Sequence, residues 1–125
     1  MKRLKGKQIK LLHKMLLEET GGLAGMRDEN LFESAIQSPF QTFDGEFLYP
    51  TLEKKAAHLG FSLIKNHPFI DGNKRIGIMT MLTFLEINGV TLACTDEDLI
   101  QIGLAIADGT MNDRQLLQWI LDHEK

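Results

Sequence analysis

The chain has 125 residues, enough for one domain with a single buried core and no need of disulfides or a structural metal. Fourteen Lys and Arg against seventeen Asp and Glu give a formal net charge of −3, which argues against nucleic acid or anionic lipid as a direct partner, since no overall positive field exists to hold them. The one cysteine, Cys94, has no intramolecular partner, and the apolar runs are too short or too interrupted for a signal-peptide core or a membrane span, so a cytoplasmic protein is expected.

In chain order, Ile9, Leu12, Met15 and Leu16 fall on one helical face, and Gly21-Gly22 supplies a stop for this first helix. Asp28 is placed to cap a second, short helix that turns Leu31, Phe32, Ala35 and Ile36 inward and closes before Pro39. The segment from Gln41 to Leu48 then changes character. Asp44-Gly45 is a two-residue hairpin turn with Phe43 and Phe47 nearby, so a short β-hairpin is expected to project here, with Thr42, Phe43, Asp44, Gly45, Glu46 and Phe47 as its flap. Such a ribbon among helices is marginal alone and has to lean on the helical body or move.

Thr51 opens a third helix, with Ala56, Ala57, Leu59, Leu63 and Ile64 available for burial up to about Asn66. A fourth starts near Asn73 and runs to Asn88-Gly89. Its apolar residues Ile76, Ile78, Met79, Met81, Leu82, Phe84, Leu85 and Ile87 lie nearly all round it, the mark of a central helix. Thr95-Asp-Glu-Asp98 reads as a capping box for a fifth helix, and Asn112 caps a sixth with Leu116, Leu117, Ile120 and Leu121 inward. The expected architecture over residues 1–125 is all-α: one domain of about six helices with one short β-hairpin.

Between the third and fourth helices lies His67-Pro68-Phe69-Ile70-Asp71-Gly72-Asn73-Lys74-Arg75. Phosphoryl transfer needs a base, a metal ligand and an anion cradle, and this loop offers all three. His67 can accept a proton near neutral pH, its ordinary pKa being about 6.5. Asp71 is a hard oxygen ligand for Mg²⁺, which travels with nucleotide phosphates and uses only one or two protein carboxylates. Gly72 allows close backbone approach, and the first turn of the fourth helix presents free N–H groups and the positive end of its dipole. Phe69 reads as a core anchor for the loop. Taken singly, a His before Pro is commonly a helix end, and Asp-Gly-Asn is ordinary turn chemistry. Lys74 and Arg75 break the local rule, because cations at a helix N-terminus oppose the dipole unless an anion joins them. The spacing is not that of a P-loop, since no Lys-Ser/Thr follows the second glycine and no strand precedes it.

The loop closely resembles the signature of the Fic family, His-x-Phe-x-Asp/Glu-Gly-Asn-x-x-Arg or a near variant, and Leu23-Ala-Gly-Met-Arg-Asp28 with Leu31 to Pro39 is similar to the N-terminal region of its death-on-curing (Doc) branch. The resemblance implies the small helical Fic core. It also implies that His67 activates a protein hydroxyl, that Asp71 binds Mg²⁺, that Asn73, Lys74 and Arg75 hold the phosphates of ATP behind Gly72, and that the hairpin positions the target polypeptide. The adenylyl-transferring pattern has Gly where this chain has Lys74 and a second Arg where it has Ile78, and the Doc branch shares both departures. That branch implies transfer of the γ-phosphate to a Ser/Thr hydroxyl, with a threonine of elongation factor Tu as target and arrest of translation as outcome. Adenylyl transfer to a protein, and a non-catalytic nucleotide- or partner-binding module, are the alternatives. The self-inhibitory run Ser/Thr-x-x-x-Glu-Gly/Asn does not occur in the chain, so an antitoxin partner is expected, as a disordered segment that folds to a helix in an apolar groove.

Overall fold

Four side chains set where helices begin. In the computed structural model, which describes all 125 residues, Asp28 accepts from Leu31 N at 3.0 Å, Thr51 from Lys54 N at 3.1 Å, Thr95 from Asp98 N at 3.1 Å and Asn112 from Gln115 N at 2.8 Å. Thr95 and Asn112 head full capping boxes, with Asp98 and Gln115 reaching back to the cap backbone. The elements that follow are α1 (Gly6–Thr20), α2 (Glu29–Gln37), a 3₁₀ turn (Ser38–Phe40), β1 (Thr42–Phe43), β2 (Glu46–Phe47), α3 (Leu52–Asn66), α4 (Asn73–Ile87), α5 (Asp96–Asp108) and α6 (Asp113–His123). The fold is all-α apart from the hairpin. No helix is long and apolar enough to cross a membrane.

Helix α4 is the axis of the molecule. Ile76, Ile78, Met81, Phe84 and Leu85 are buried on several of its faces, and α1, α3 and α5 pack against it. Its closest neighbour is α3, because two glycines meet there. A Cβ built on Gly77 would lie 2.6 Å from Ile64 Cγ1 and 3.1 Å from the Gly60 carbonyl oxygen, so any larger residue would force the helices apart. All six helices contribute to one continuous core, closed below the hairpin by Phe40 edge-on to Phe84.

Two residues expected inside are outside. Met15 is 53% exposed and Leu121 is 47% exposed. The buried stripe of α1 is Ile9, His13, Leu16 and Leu17. At about 100° per residue this phase turns Met15 to solvent. A histidine takes the core position because it finds a backbone acceptor there. On α6 the stripe is carried by Leu116 and Ile120, with Leu117 partly buried, and it leaves Leu121 on the far side.

Candidate active site

The loop 67–72 turns the chain from the end of α3 into the start of α4, and each of its groups is fixed by a contact to the N-terminal third of the protein. His67 caps α3 in the left-handed conformation, φ 50° and ψ 53°. A non-glycine residue holds that conformation only where neighbours secure it. Arg27 does so. Its Nε donates to the His67 carbonyl at 2.6 Å and its terminal nitrogen to the Asn66 carbonyl at 2.8 Å, serving two oxygens that the helix end leaves without partners. The backbone of 25–28 then runs beside the loop. Arg27 N and Asp28 N both donate to Pro68 O, Ile70 N donates to Gly25 O, and Met26 bridges antiparallel to Phe69. The His67 imidazole itself faces solvent.

Phe69 is 2% exposed, as its expected anchoring role requires. Its ring stacks on His13 with centroids 3.7 Å apart and meets Phe32 edge-on. Its backbone is latched by Asn73, whose Oδ1 accepts from Phe69 N at 2.9 Å and whose Nδ2 donates to Phe69 O at 3.0 Å. Asn73, expected to hold phosphate, has a side chain that is 4% exposed with both polar atoms engaged in this latch, which leaves its backbone N–H, facing the helix end, as the group free for an anion.

Asp71 is held from three sides. Its carbonyl oxygen accepts from His13 Nε2 at 2.7 Å, which places the proton of that ring on Nε2. Its carboxylate accepts from Leu23 N at 3.2 Å and from Gly72 N at 2.8 Å, one bond to each oxygen. These two backbone donors hold the Asp71 carboxyl below the usual carboxylate range, with smaller help from Arg75 and His13. Gly22 makes the first bond possible, since a Cβ there would sit 2.9 Å from Asp71 Oδ2. Each carboxylate oxygen accepts a single bond and so retains a lone pair, a donor set that fits one hard divalent cation. No three His, Cys, Asp or Glu side chains gather anywhere into a protein-only metal cage.

Gly72 is the N-cap of α4 at φ 80°, with no side-chain cap and no acidic residue in the first turn. The amides of Asn73, Lys74 and Arg75 have no intrahelical acceptors, and the Lys74 and Arg75 side chains are exposed beside them. The loop thus brings together an exposed imidazole, an ionised carboxylate, three free amides and two cations. An anion set there would relieve both the uncapped helix end and the Lys74/Arg75 charge.

None of the hydrogen bonds that hold this loop comes from the hairpin. Asp44 at φ 52° and Gly45 at φ 80° make its turn, Thr42 pairs with Phe47 and Phe43 with Glu46, and every residue from Gln41 to Leu48 is exposed. Its polar anchor on the helical body is Lys55, in the first turn of α3, whereas His67 caps the other end of that helix. Twelve residues at 1.5 Å each put roughly 18 Å between those two backbone positions.

His13, Gly22 and Arg27 were not legible as site residues. The available signal for His13 was its place four residues after Ile9, a polar group in the buried phase of an apolar helix.

The sequence model of the Fic/DOC family matches residues 3–85, which takes in every contact of the loop described above. A protein described as Toxin Doc, from Mycolicibacterium smegmatis (strain ATCC 700084 / mc(2)155), is 47% identical over 73 residues. That stretch is 58% of this chain and 56% of the relative, so the chain spans just over half the length of the relative it matches.

Proposed function

Because the chain belongs to the Fic/DOC family, we propose that it is the toxin of a toxin–antitoxin pair and transfers the γ-phosphate of ATP to a Ser/Thr hydroxyl of a protein target. The observation that carries this reading is the grouping of His67, the Asp71 carboxylate and the uncapped first turn of α4 with Lys74 and Arg75 on one nine-residue loop. The imidazole of His67 takes the proton of the target hydroxyl as its oxygen bonds to the γ-phosphorus. The bond to the bridging oxygen breaks and ADP leaves with the electron pair. The free amides of Asn73, Lys74 and Arg75 hold the charge that gathers on the transferred group. Mg²⁺, carried by the Asp71 carboxylate, would supply further neutralisation of the phosphates.

Phosphoryl transfer is favoured over adenylyl transfer by Lys74 and Ile78. Lys74 puts a point charge where the adenylyl-transferring pattern has glycine, and Ile78 is 6% exposed and so belongs to the core rather than to a distal-phosphate clamp. Cation density is then concentrated at one phosphate. Elongation factor Tu is the proposed target, by the resemblance to the Doc branch. Incubation of the protein and Mg²⁺ with cell lysate and ATP labelled at the γ- or α-phosphate tests both points. Label from γ-labelled ATP alone, in a band of the mass of elongation factor Tu, is expected. Label from α-labelled ATP alone would make the protein an adenylyltransferase, and ATP binding without transfer would make it a binding module.

The antitoxin is proposed to fold as a helix against exposed apolar residues that repeat at helical spacing. Leu11 and Met15 on α1 and Ile100 and Leu104 on α5 are such pairs, 44% to 57% exposed, on helices that both pack against α4. Co-expression with the neighbouring reading frame should relieve growth arrest. Tolerated high expression of the active chain alone would argue against the need for a partner.

A further inference from the structure

Lys55 is buried to 2% exposure and has no carboxylate partner. It lies in the first turn of α3, with its backbone N–H bonded to Thr51 O. Its Nζ donates to the Tyr49 carbonyl at 2.5 Å and sits 3.9 Å from the centroid of the Phe47 ring. Burial pushes its pKa below the ordinary lysine value. An unpaired buried ammonium is costly, and a methionine would fill the same space without that cost. What the lysine adds is direction: one donor to a carbonyl just after β2 and a cation against an aromatic face on β2 itself.

The hairpin has little else to hold it. Its two strands have two residues each, all exposed, and it closes on itself through Leu48 N to Gln41 O. On the β1 side the tie to the body is Gln41 Nε2 to Ser38 O. Behind Lys55, Tyr49 stacks on His58 with centroids 4.1 Å apart, and His58 Nδ1 lies 3.4 Å from Asp113 Oδ2, so the carbonyl that Lys55 grips belongs to a residue already braced against α3 and α6. Lys55 therefore joins the hairpin to the helix that ends in His67.

We propose that Lys55 is a positioning residue: clamped between the Tyr49 carbonyl and the Phe47 ring, its ammonium fixes the angle at which the hairpin leaves the body and thereby presents the protein target, but not the nucleotide, to His67. The part concerning the target rests on the phosphotransfer reading given above. Lys55 lies twelve residues before His67 on the same helix, roughly 18 Å along its axis, and so is too far from the loop to touch reacting atoms.

The test uses the full chain with Lys55→Met, which keeps the packing, and Phe47→Ala, which removes the ring from an exposed position and leaves the core intact. Backbone ¹⁵N relaxation reads the tether. Order parameters of Phe43 to Leu48 are expected to fall from about 0.85 to below about 0.6 in Lys55→Met and part of the way in Phe47→Ala, with α4 unchanged. Transfer assays read the consequence: a KM for the protein target raised several-fold, with kcat and the affinity for ATP within twofold of wild type. Hairpin order parameters equal to wild type in both variants would overturn the tether, and loosened hairpins with an unchanged target KM would overturn its link to target presentation. If Lys55→Met fails to fold, Phe47→Ala decides both points. Absence of transfer by the wild-type protein would count against the proposed function, while the relaxation data would still decide the tether.

Discussion

Arg27 and His67 form a two-pronged lock on the end of α3, the guanidinium binding the backbone of the proposed base and of the residue before it at 2.6 and 2.8 Å. Lysine at position 27 would keep the charge but cannot make both bonds in that plane. Arg27→Lys should lower the rate of transfer about 10- to 100-fold, the scale of a misplacement of the base by an ångström or less, with the affinity for ATP retained. Single-turnover kinetics alongside nucleotide titration would show it, and a rate equal to wild type would mean that His67 is held by other means.

Removal of the base itself is more severe. His67→Ala should reduce transfer by ~10²–10⁴-fold and abolish growth arrest, because a positioned proton acceptor contributes about that factor. The imidazole faces solvent, so the thermal midpoint should hardly move. A His67→Ala protein as toxic as wild type at equal abundance would remove this residue from the chemistry.

For Asp71, the informative substitution is Asn, which retains an oxygen for a backbone N–H while discarding the charge. Asp71→Asn should largely abolish the dependence of ATP affinity on Mg²⁺ concentration. It also has an acid-stability signature. The folded protein holds this carboxyl below its ordinary pKa of about 3.9, so its stabilising contribution is complete above that value and is lost only as pH falls through the lower folded one. Denaturation midpoints followed from pH 7 to pH 3 should fall steeply at the acid end for wild type and less steeply for Asp71→Asn. Parallel curves would show that the two backbone donors do not prefer the ionised form.

His13→Ala should cost ~1–3 kcal/mol, the penalty for leaving the part-buried Asp71 carbonyl oxygen without its donor, with loss of the Phe69 stack adding to it. Urea unfolding measures it. Because the loop is held by the same contacts, affinity for ATP should weaken in parallel, and an unchanged affinity would separate the loop's geometry from this histidine.

The α3/α4 contact offers a packing test. Gly77→Ala drives a methyl to within 2.6 Å of Ile64 Cγ1 and should destabilise by ~1–3 kcal/mol. Combined with Ile64→Ala, which removes the atom that is struck, the same substitution should cost less, and the double-mutant cycle should report that coupling. Additive effects would mean that the helices already have room.

The helices and the residues of the candidate site were legible because both are written in short range. Caps at Asp28, Thr51, Thr95 and Asn112 act on amides three residues away, and the candidate base, ligand and anion cradle lie within nine consecutive residues. What was not legible depends on residues distant in the chain. His13 meets Asp71 across 58 positions and Arg27 meets His67 across 40, and no periodicity rule reaches so far. The misplacement of Met15 has the same origin. Apolarity alone favours it over His13 for the core, and only the acceptor at Asp71 reverses that choice. Asn73 shows the converse, a polar residue in a phosphate-binding pattern whose side chain is used to latch Phe69.

The hairpin and the reactive loop differ in how freely their residues can change. Around Phe69, Asn73 and Gly77 nearly every atom is matched to another, so a substitution is paid in stability before any new chemistry can be tried. From Gln41 to Leu48 no residue is buried, and away from Phe47 and the Asp44-Gly45 turn replacements there perturb the folded state little. If the hairpin presents the target as proposed, a lineage of such proteins could exchange one recognition sequence for another there, generation by generation, while inheriting the proposed reaction unaltered.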